Sequence, residues 1–347
     1  MHAVTFTGHG GTDVIEYAEV PDPTVGPTDV LIDVQAGALN HLDVWVRRGL
    51  PGIDLEMPHI PGSDGAGVVL ETGEAVTRFE PGDRVALSAG VACGECEFCR
   101  DGDEPLCVSY HIIGEHVPGI HAEYAAIDQD SLIPVPEHVD WETAASSTLV
   151  FQTAWRMLID RADLTAGESV LVLGASGGVG HAALQIADYA GAEVYATGSS
   201  EEKLRYAEAH GADHVVNYED ENFADWIRAE TGKRGVDVVV DYIGAGTWRD
   251  SIKSLAKGGR LVTCGGTAGP SPETDIPRIF WNQLSILGST MATPGQVDDV
   301  MDLVWDGTFE PAIRDTLPMS ETARAHELLE GREGFGKVVL KPDSDLE

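Results

Sequence analysis

Along residues 1 to about 145 apolar positions occur in short runs or alternate with polar ones, and Pro, Gly and Asp interrupt them every few residues, as in "DVLIDVQAGAL", "GAGVVLETG" and "GDRVALSAG". Period two between turn formers predicts strands, so this part is expected to be mostly β. From about 146 the pattern changes. Unbroken apolar runs, "SVLVLGAS", "AEVYATG", "VDVVVDYIG" and "RLVTCGG", alternate with stretches of helical period, "HAALQIADYAGA" and "EEKLRYAEAHGA". Such alternation predicts a parallel sheet with crossover helices. After about 291 come two helical stretches, "GQVDDVMDLVWDGT" and "ETARAHELLEGREG", and a last strand, "GKVVLKP". The expectation is an α/β chain: a mainly β domain over 1–145, a doubly wound nucleotide-binding domain over 146–290, and a return to the first domain over 291–347.

Within "VLVLGASGGVGHAALQIA" a turn of Gly174, Ala175, Ser176, Gly177, Gly178, Val179 and Gly180 joins an apolar strand to an amphipathic helix. Glycines there let a pyrophosphate approach backbone N–H groups at a helix N-terminus, where the dipole favours negative charge. The next strand ends "YATGSSEEK", with Gly198 where an NAD-selecting chain usually carries an acid on the ribose hydroxyls. Ser199 and Ser200 offer hydroxyls, Lys203 a charge, and Tyr218 an aromatic cover for the adenosine end, which favours NADP(H). Glu201 and Glu202 would oppose a 2′-phosphate, so NAD(H) stays open.

Cys93, Cys96, Cys99 and Cys107 fall within fifteen residues at spacing C-x2-C-x2-C-x7-C. Four thiolates complete the tetrahedron of zinc and leave no open position, so the lobe over 90–110 is expected to hold one structural zinc. Disulfides are the alternative and suit an oxidising compartment. No basic, apolar leader opens the chain and no apolar segment approaches bilayer length, which makes the expected location cytoplasmic.

Charge narrows the partners. With 58 acidic and 22 basic residues the formal net charge is −36, and the acids are spread along the chain. Nucleic-acid and anionic-membrane binding both need clustered Lys and Arg, and neither is expected. A carboxylate coat this dense repels itself unless salt screens it, which suggests a halophilic host.

The order "PHIPGSDGAGVV", "PGDRV", the cysteine lobe, "GASGGVG", "GADHVVNY", "GVDVVVDYIG" and "ILGS" resembles the medium-chain dehydrogenase/reductase superfamily over nearly the whole length. The resemblance implies a GroES-like domain split by an inserted Rossmann domain, an active-site cleft between them, a small-molecule substrate, and a homodimer or homotetramer built on "LSILGS". Zinc alcohol dehydrogenases of that superfamily hold a catalytic zinc on Cys, His and Cys. Their counterparts here are Asn40, Ser63 and Leu149, and Leu42 replaces the hydroxyl that begins the proton relay. An amide, a hydroxyl and an alkyl group do not make a zinc site. "GALNHLDVWVRRG" and "PGSDGAG" look instead like the zinc-free quinone and enoyl reductases, which pass a hydride from NADPH to a quinone or a conjugated double bond.

Carried over from the resemblance, Asn40 is expected beside the nicotinamide carboxamide or the substrate oxygen, and Asp43 near the reacting groups. Thr153 is expected against the ring, Gly265, Gly266 and Ser289 along its pocket wall, and His41 on the pyrophosphate. Plainer roles compete: Asn40 as a turn fastener, and Thr153 as the cap of a helix begun by "QTAWRMLID". No Tyr follows Asn40 closely, which leaves an enoyl-thioester reductase without its tyrosine donor. Two rivals stand beside the reductase: an alcohol dehydrogenase whose zinc site is rebuilt from His41, Asp43, His59 and Asp64, and a non-catalytic NADPH-binding protein.

Overall fold

The structure, a computed structural model, describes residues 1–331 and 334–343. The chain divides into two compact units: Met1–Leu149 with Thr293–Glu347, and Val150–Ala292. The change of unit falls inside one helix, Trp141–Trp155.

In the first unit the strand Asp29–Ala38 is the hub. Its side chains alternate half-buried and buried until both faces are covered at its end, the mark of a strand entering a core. It pairs antiparallel with Gly65–Thr72, Tyr124–Asp128 and Lys337–Lys341. Two registers matter. Gly37 pairs with Gly65, and the Ala38 N–H donates to the Asp64 carbonyl at 3.1 Å, so Asp64 lies across from Ala38. Val339 pairs with Ala38 and Leu340 with Gly37, and the same antiparallel register carried two residues on sets Lys337 opposite Asn40. Pairing across nearly the whole chain thus brings Asn40, Asp64 and Lys337 to one place.

His121 lies behind this junction. A Cβ on Gly37 would stand 2.7 Å from its ring and one on Gly62 2.5 Å, so both glycines make room for the imidazole. Burial pushes its pKa down to about 4, with Lys337 acting in the same direction and Asp64 against it. His326, in the helix Thr322–Glu330, meets the Phe6 ring edge-on at 6.4 Å. Neither of its ring nitrogens has a partner among the described residues, and burial, then Arg47 and His121, hold its pKa near 3.

The second unit carries the parallel sheet expected from its apolar runs. Its strand order is His214–Asn217, Glu193–Gly198, Ser169–Val172, Val236–Val240, Leu255–Thr263, Ser285–Gly288. The order reverses between Ser169–Val172 and Val236–Val240, and ligands of such sheets bind at the carboxyl ends of strands at that point. Leu171, Tyr195, Val239 and Leu261 pack with Phe223, Ile227 and Ile252 of the crossover helices in one core. The side-chain Oδ1 of Asn222 caps the helix Phe223–Glu230 by accepting from the N–H groups of Ala224 and Asp225 at 3.1 and 3.0 Å. Among the described residues no helix is long and apolar enough to cross a membrane.

The buried histidines set an acid limit on the first unit. A histidine held neutral in the fold binds its proton only after unfolding, so stability is lost as pH falls below about 6.5 and continues to fall toward the folded value. Replacing His326 by Phe removes that penalty at similar volume. Its stabilising effect, measured by urea unfolding in one salt, is expected to be larger at pH 5 than at pH 7.5 by about 2 kcal/mol. An equal effect at both pH values would mean that His326 is already protonated in the fold.

Candidate active site

Where the strand Asp29–Ala38 gives way to the helix His41–Arg48, Asn40 is the residue before the first helical turn. Its backbone N–H donates to Asp43 Oδ2 at 2.7 Å, so Asp43 is the fastener of this turn. The Asn40 side chain makes different bonds. Its Nδ2 donates to Asp64 Oδ2 at 3.0 Å, and its Oδ1 accepts from Lys337 Nζ at 2.5 Å. Lys337 also donates to Asp64 Oδ2 at 2.8 Å. The other carboxylate oxygen, Oδ1, accepts from Thr148 Oγ1 at 2.5 Å and from the Leu149 N–H at 2.9 Å. Asp64 and Lys337 are both buried, at 0% and 4% side-chain exposure, and four donors surround the carboxylate. Such saturation is what keeps a charge tolerable away from water.

Asp43 is also fully enclosed. Burial pushes its pKa up to about 6, and Asp64 adds to that against the Asn40 N–H and Lys337. Ser63 gives its hydroxyl to the Ile113 carbonyl at 2.6 Å, and His59 Nε2 lies 3.1 Å from the Gly114 carbonyl. His41 opens the helix half-buried, its ring 6.5 Å from that of Trp45. Thr153 is buried near the C-terminal end of Trp141–Trp155, so the helix begins twelve residues before Thr153 and not after it. That role is corrected: "QTAWRMLID" continues a helix whose apolar course starts at Trp141.

In the second unit Ser169–Val172 leads through Leu173, Gly174, Ala175 and Ser176 to Gly177, the cap of the helix Gly178–Tyr189. No side chain caps this helix, so its first N–H groups are left for a ligand. Gly174 has φ of +62°, and a Cβ on Gly180 would stand 2.4 Å from the Gly174 carbonyl and 2.6 Å from Tyr242 Oη. Tyr242 pins the loop by donating to the Gly174 carbonyl at 2.7 Å. Beside it the buried Asp241 accepts from the N–H groups of Ile243 and Gly244 and from the hydroxyls of Thr247 and Ser251. Asp241 and Tyr242 close the apolar strand "VDVVVDY", and a polar pair directly after a buried parallel strand was the available signal for them.

The positions expected at the adenosine end come together. The Tyr218 N–H donates to the Gly198 carbonyl at 3.1 Å, and Lys203 stands in the first turn of the helix Glu201–Ala209. Ser200 caps that helix, its Oγ accepting from the Lys203 N–H at 3.3 Å. Gly198 has a packing duty as well, because a Cβ there would lie 2.8 Å from Leu204 Cδ2. At the end of Leu255–Thr263, Gly265 and Gly266 are half-exposed, and the Ser289 N–H donates to the Thr263 carbonyl. The Ser289 hydroxyl oxygen is buried without a partner among the described residues.

The four cysteines of the lobe offer sulfurs that all lie within 4.8 Å of one another, with Cys93 and Cys99 4.0 Å apart and Cys96 and Cys99 3.4 Å apart. Tetrahedral Zn–S bonds of about 2.3 Å require sulfurs roughly 3.8 Å apart, so the group fits zinc. Backbone N–H groups of Glu95 and Cys96 lower the Cys93 thiol, while burial and the neighbouring sulfurs raise that of Cys99.

Residues 26–137 match the model of the alcohol dehydrogenase GroES-like domain, and residues 178–306 that of zinc-binding dehydrogenases. An acryloyl-coenzyme A reductase of Metallosphaera sedula is 34% identical over 98% of this chain and 99% of its own. A quinone oxidoreductase of Pseudomonas aeruginosa is 32% identical, with the same coverage of each. Among solved structures, one described as an NAD-dependent alcohol dehydrogenase superposes with a TM-score of 0.94 at 43% identity, covering 98% of this chain and 99% of that one. The chain belongs to the medium-chain dehydrogenase/reductase superfamily. It is an NAD(P)H oxidoreductase by that membership.

Against the superfamily's zinc positions, Asn40 is bound to Lys337 and Asp64, Ser63 to a carbonyl, and Leu149 offers only an alkyl group. The rebuilt set of His41, Asp43, His59 and Asp64 is not assembled. Among the described residues the one group of three or more His, Cys, Asp or Glu close enough to hold a metal is the cysteine lobe. His59 is engaged with Gly114, Asp43 with Asn40, and Asp64 with Lys337 and Thr148.

Elemental analysis of the purified protein is expected to give about one zinc per chain, and Cys107→Ser to lower both the zinc content and the melting temperature. Two zincs per chain would require a second site that these contacts do not provide.

Proposed function

We propose that the protein uses NADPH to reduce a quinone or an α,β-unsaturated carbonyl compound, enoyl thioesters included, without a catalytic metal. The observation that carries this reading is that Asn40, at one of the three positions matched to the zinc ligands, is locked into a saturated cluster with Asp64, Lys337 and Thr148. A neutral amide held by a buried ammonium can donate to negative charge growing on an oxygen, which suffices for a conjugated acceptor. They do not lower the pKa of a simple alcohol, for which a metal is the usual device. When bound, the nicotinamide supplies the hydride. In the second unit the N–H groups at Gly178–Gly180 would hold its pyrophosphate and Ser289 would meet the ring end; in the first unit Asn40 is the group that would donate to an acceptor oxygen. The acryloyl-coenzyme A reductase and quinone oxidoreductase among the relatives support this acceptor class.

The second reading is NAD-linked alcohol oxidation, favoured by the 43% identity to the solved alcohol dehydrogenase. One screen separates the two. NADPH oxidation by quinones, enones and enoyl thioesters is expected, with little turnover of ethanol or propanol by NAD or NADP. Alcohol oxidation together with inertness toward every conjugated acceptor would reverse the assignment. For cofactor choice, Ser199→Glu places a carboxylate at the adenosine end without forcing a Cβ into Gly198. It is expected to lower kcat/KM for NADPH about tenfold relative to NADH.

Self-association belongs to the same reading. Ser285–Gly288 is the edge of the parallel sheet, and beside it in sequence Ile276, Phe280 and Trp281 are exposed, Trp281 at 76%. An open edge flanked by large apolar side chains is covered in a stable protein. Sedimentation in molar KCl is expected to show a dimer or tetramer, and Trp281→Glu to shift it toward monomer.

A further inference from the structure

We propose that Lys337, which lies outside the motifs that carry the superfamily resemblance, is the positioning residue of this site, setting which end of the Asn40 amide an acceptor meets. The inference rests on the reductase reading for its catalytic consequence and on the bonding pattern alone for the orientation itself. An asparagine amide presents two nearly isosteric ends, and only its partners decide between them. Lys337 Nζ has donors only and sits 2.5 Å from one end, which must therefore be the oxygen. Asp64 Oδ2 is the acceptor 3.0 Å from the other end, which must be the nitrogen. The two constraints agree, and the 2.8 Å ion pair between Lys337 and Asp64 ties them into one triangle.

Asp64 takes one of the two N–H groups on Asn40 Nδ2 and leaves the second for an acceptor oxygen. With the amide reversed, that position would offer a carbonyl oxygen and repel the same charge. Lys337 thus acts through Asn40, without touching substrate. It also keeps a positive charge where a divalent ion would have to approach Asn40 Oδ1.

Lys337→Met alone leaves Asp64 buried and unpaired, and its loss of stability would hide any effect on orientation. Pairing it with Asp64→Asn removes both charges, and the side chain at 64 then faces either end of the amide equally well. The double variant is expected to regain most of the melting temperature lost by Lys337→Met. Its kcat with a conjugated acceptor should still be about 100-fold below wild type, the scale of losing one oriented donor. NADPH affinity should stay within about twofold, because no cofactor contact is touched. The side-chain 15N–1H signals of Asn40, assigned by their absence in Asn40→Asp, should move from an ion-bonded to an averaged position in the double variant. Recovery of kcat along with stability, or unmoved amide signals, would overturn the proposal. If the wild type reduces no conjugated acceptor, the reductase reading fails, and the amide signals still decide whether Lys337 and Asp64 orient Asn40.

Discussion

Lys337 and Asp64 are both out of water, so each must hold the other. An unpartnered buried charge costs several kcal/mol, as much as a small domain's whole margin of stability. The pair therefore acts on the fold as well as on the site. A one-residue slip of Lys337–Lys341 against Asp29–Ala38 would turn Lys337 to the opposite face and leave Asp64 alone. Register is selected by a penalty on every alternative, and the selected register is the one that frames Asn40. Thr148 and the Leu149 N–H, arriving from Trp141–Trp155, fill the remaining oxygen and tie that helix to the same point.

Much of the second unit was legible in the sequence because its determinants are local. Runs such as "SVLVLG" and "VDVVVDY" are strands buried on both faces, and the Gly174–Gly180 turn lies within a few residues of the strand and helix it joins. The first unit was legible in its strands but not in its site. Asn40 and Asp64 are visible as substitutions in short motifs. Lys337 is not, because a lysine opening "GKVVLKP" looks like a solvated strand end until pairing across 297 residues buries it. Thr153 shows the converse: the cap reading competed for it although the start signal lies upstream, where Asp140 accepts from the Thr143 N–H at 2.7 Å and Glu142 stands in the first turn. The polar pair Asp241–Tyr242 is visible at its strand end, but the role of Tyr242 depends on which loop lies beside it, a fact of strand order rather than of local pattern.

Charge is used in opposite ways at the surface and inside. The chain has 22 basic residues against 58 acidic ones and six lysines in all, and it still places Lys337 and Arg47 in its interior. Arg47 Nη2 meets Glu330 at 2.5 Å. On a surface this acidic an added cation is screened and lost among carboxylates, whereas inside it acts at full strength on its few neighbours. The same scarcity bears on the cofactor loop. The backbone N–H groups and dipole at the start of Gly178–Tyr189 would meet an anion without a cationic side chain and without drawing the surrounding acids into ion pairs.

Gly198 has two physical explanations that bear differently on cofactor choice. If the position were open, the missing carboxylate would speak for NADPH alone. A Cβ there would stand 2.8 Å from Leu204 Cδ2 and 3.2 Å from Lys203 Cβ, so a glycine also lets the helix Glu201–Ala209 sit close on its strand. Packing by itself explains the residue, and Gly198 is then a weaker witness to the cofactor than its place at the strand end suggests. Discrimination has to come from groups that neither pack nor cap. Ser200 is occupied as the helix cap, while Ser199 and the exposed Tyr218 remain at the strand ends, joined through the bond from the Tyr218 N–H to the Gly198 carbonyl. A 2′-phosphate would have to be met there by hydroxyls and backbone, with Glu201 and Glu202 at the start of the next helix setting the electrostatic cost. The helix N-terminus that follows Ser200 offsets part of that cost, because its dipole favours an anion.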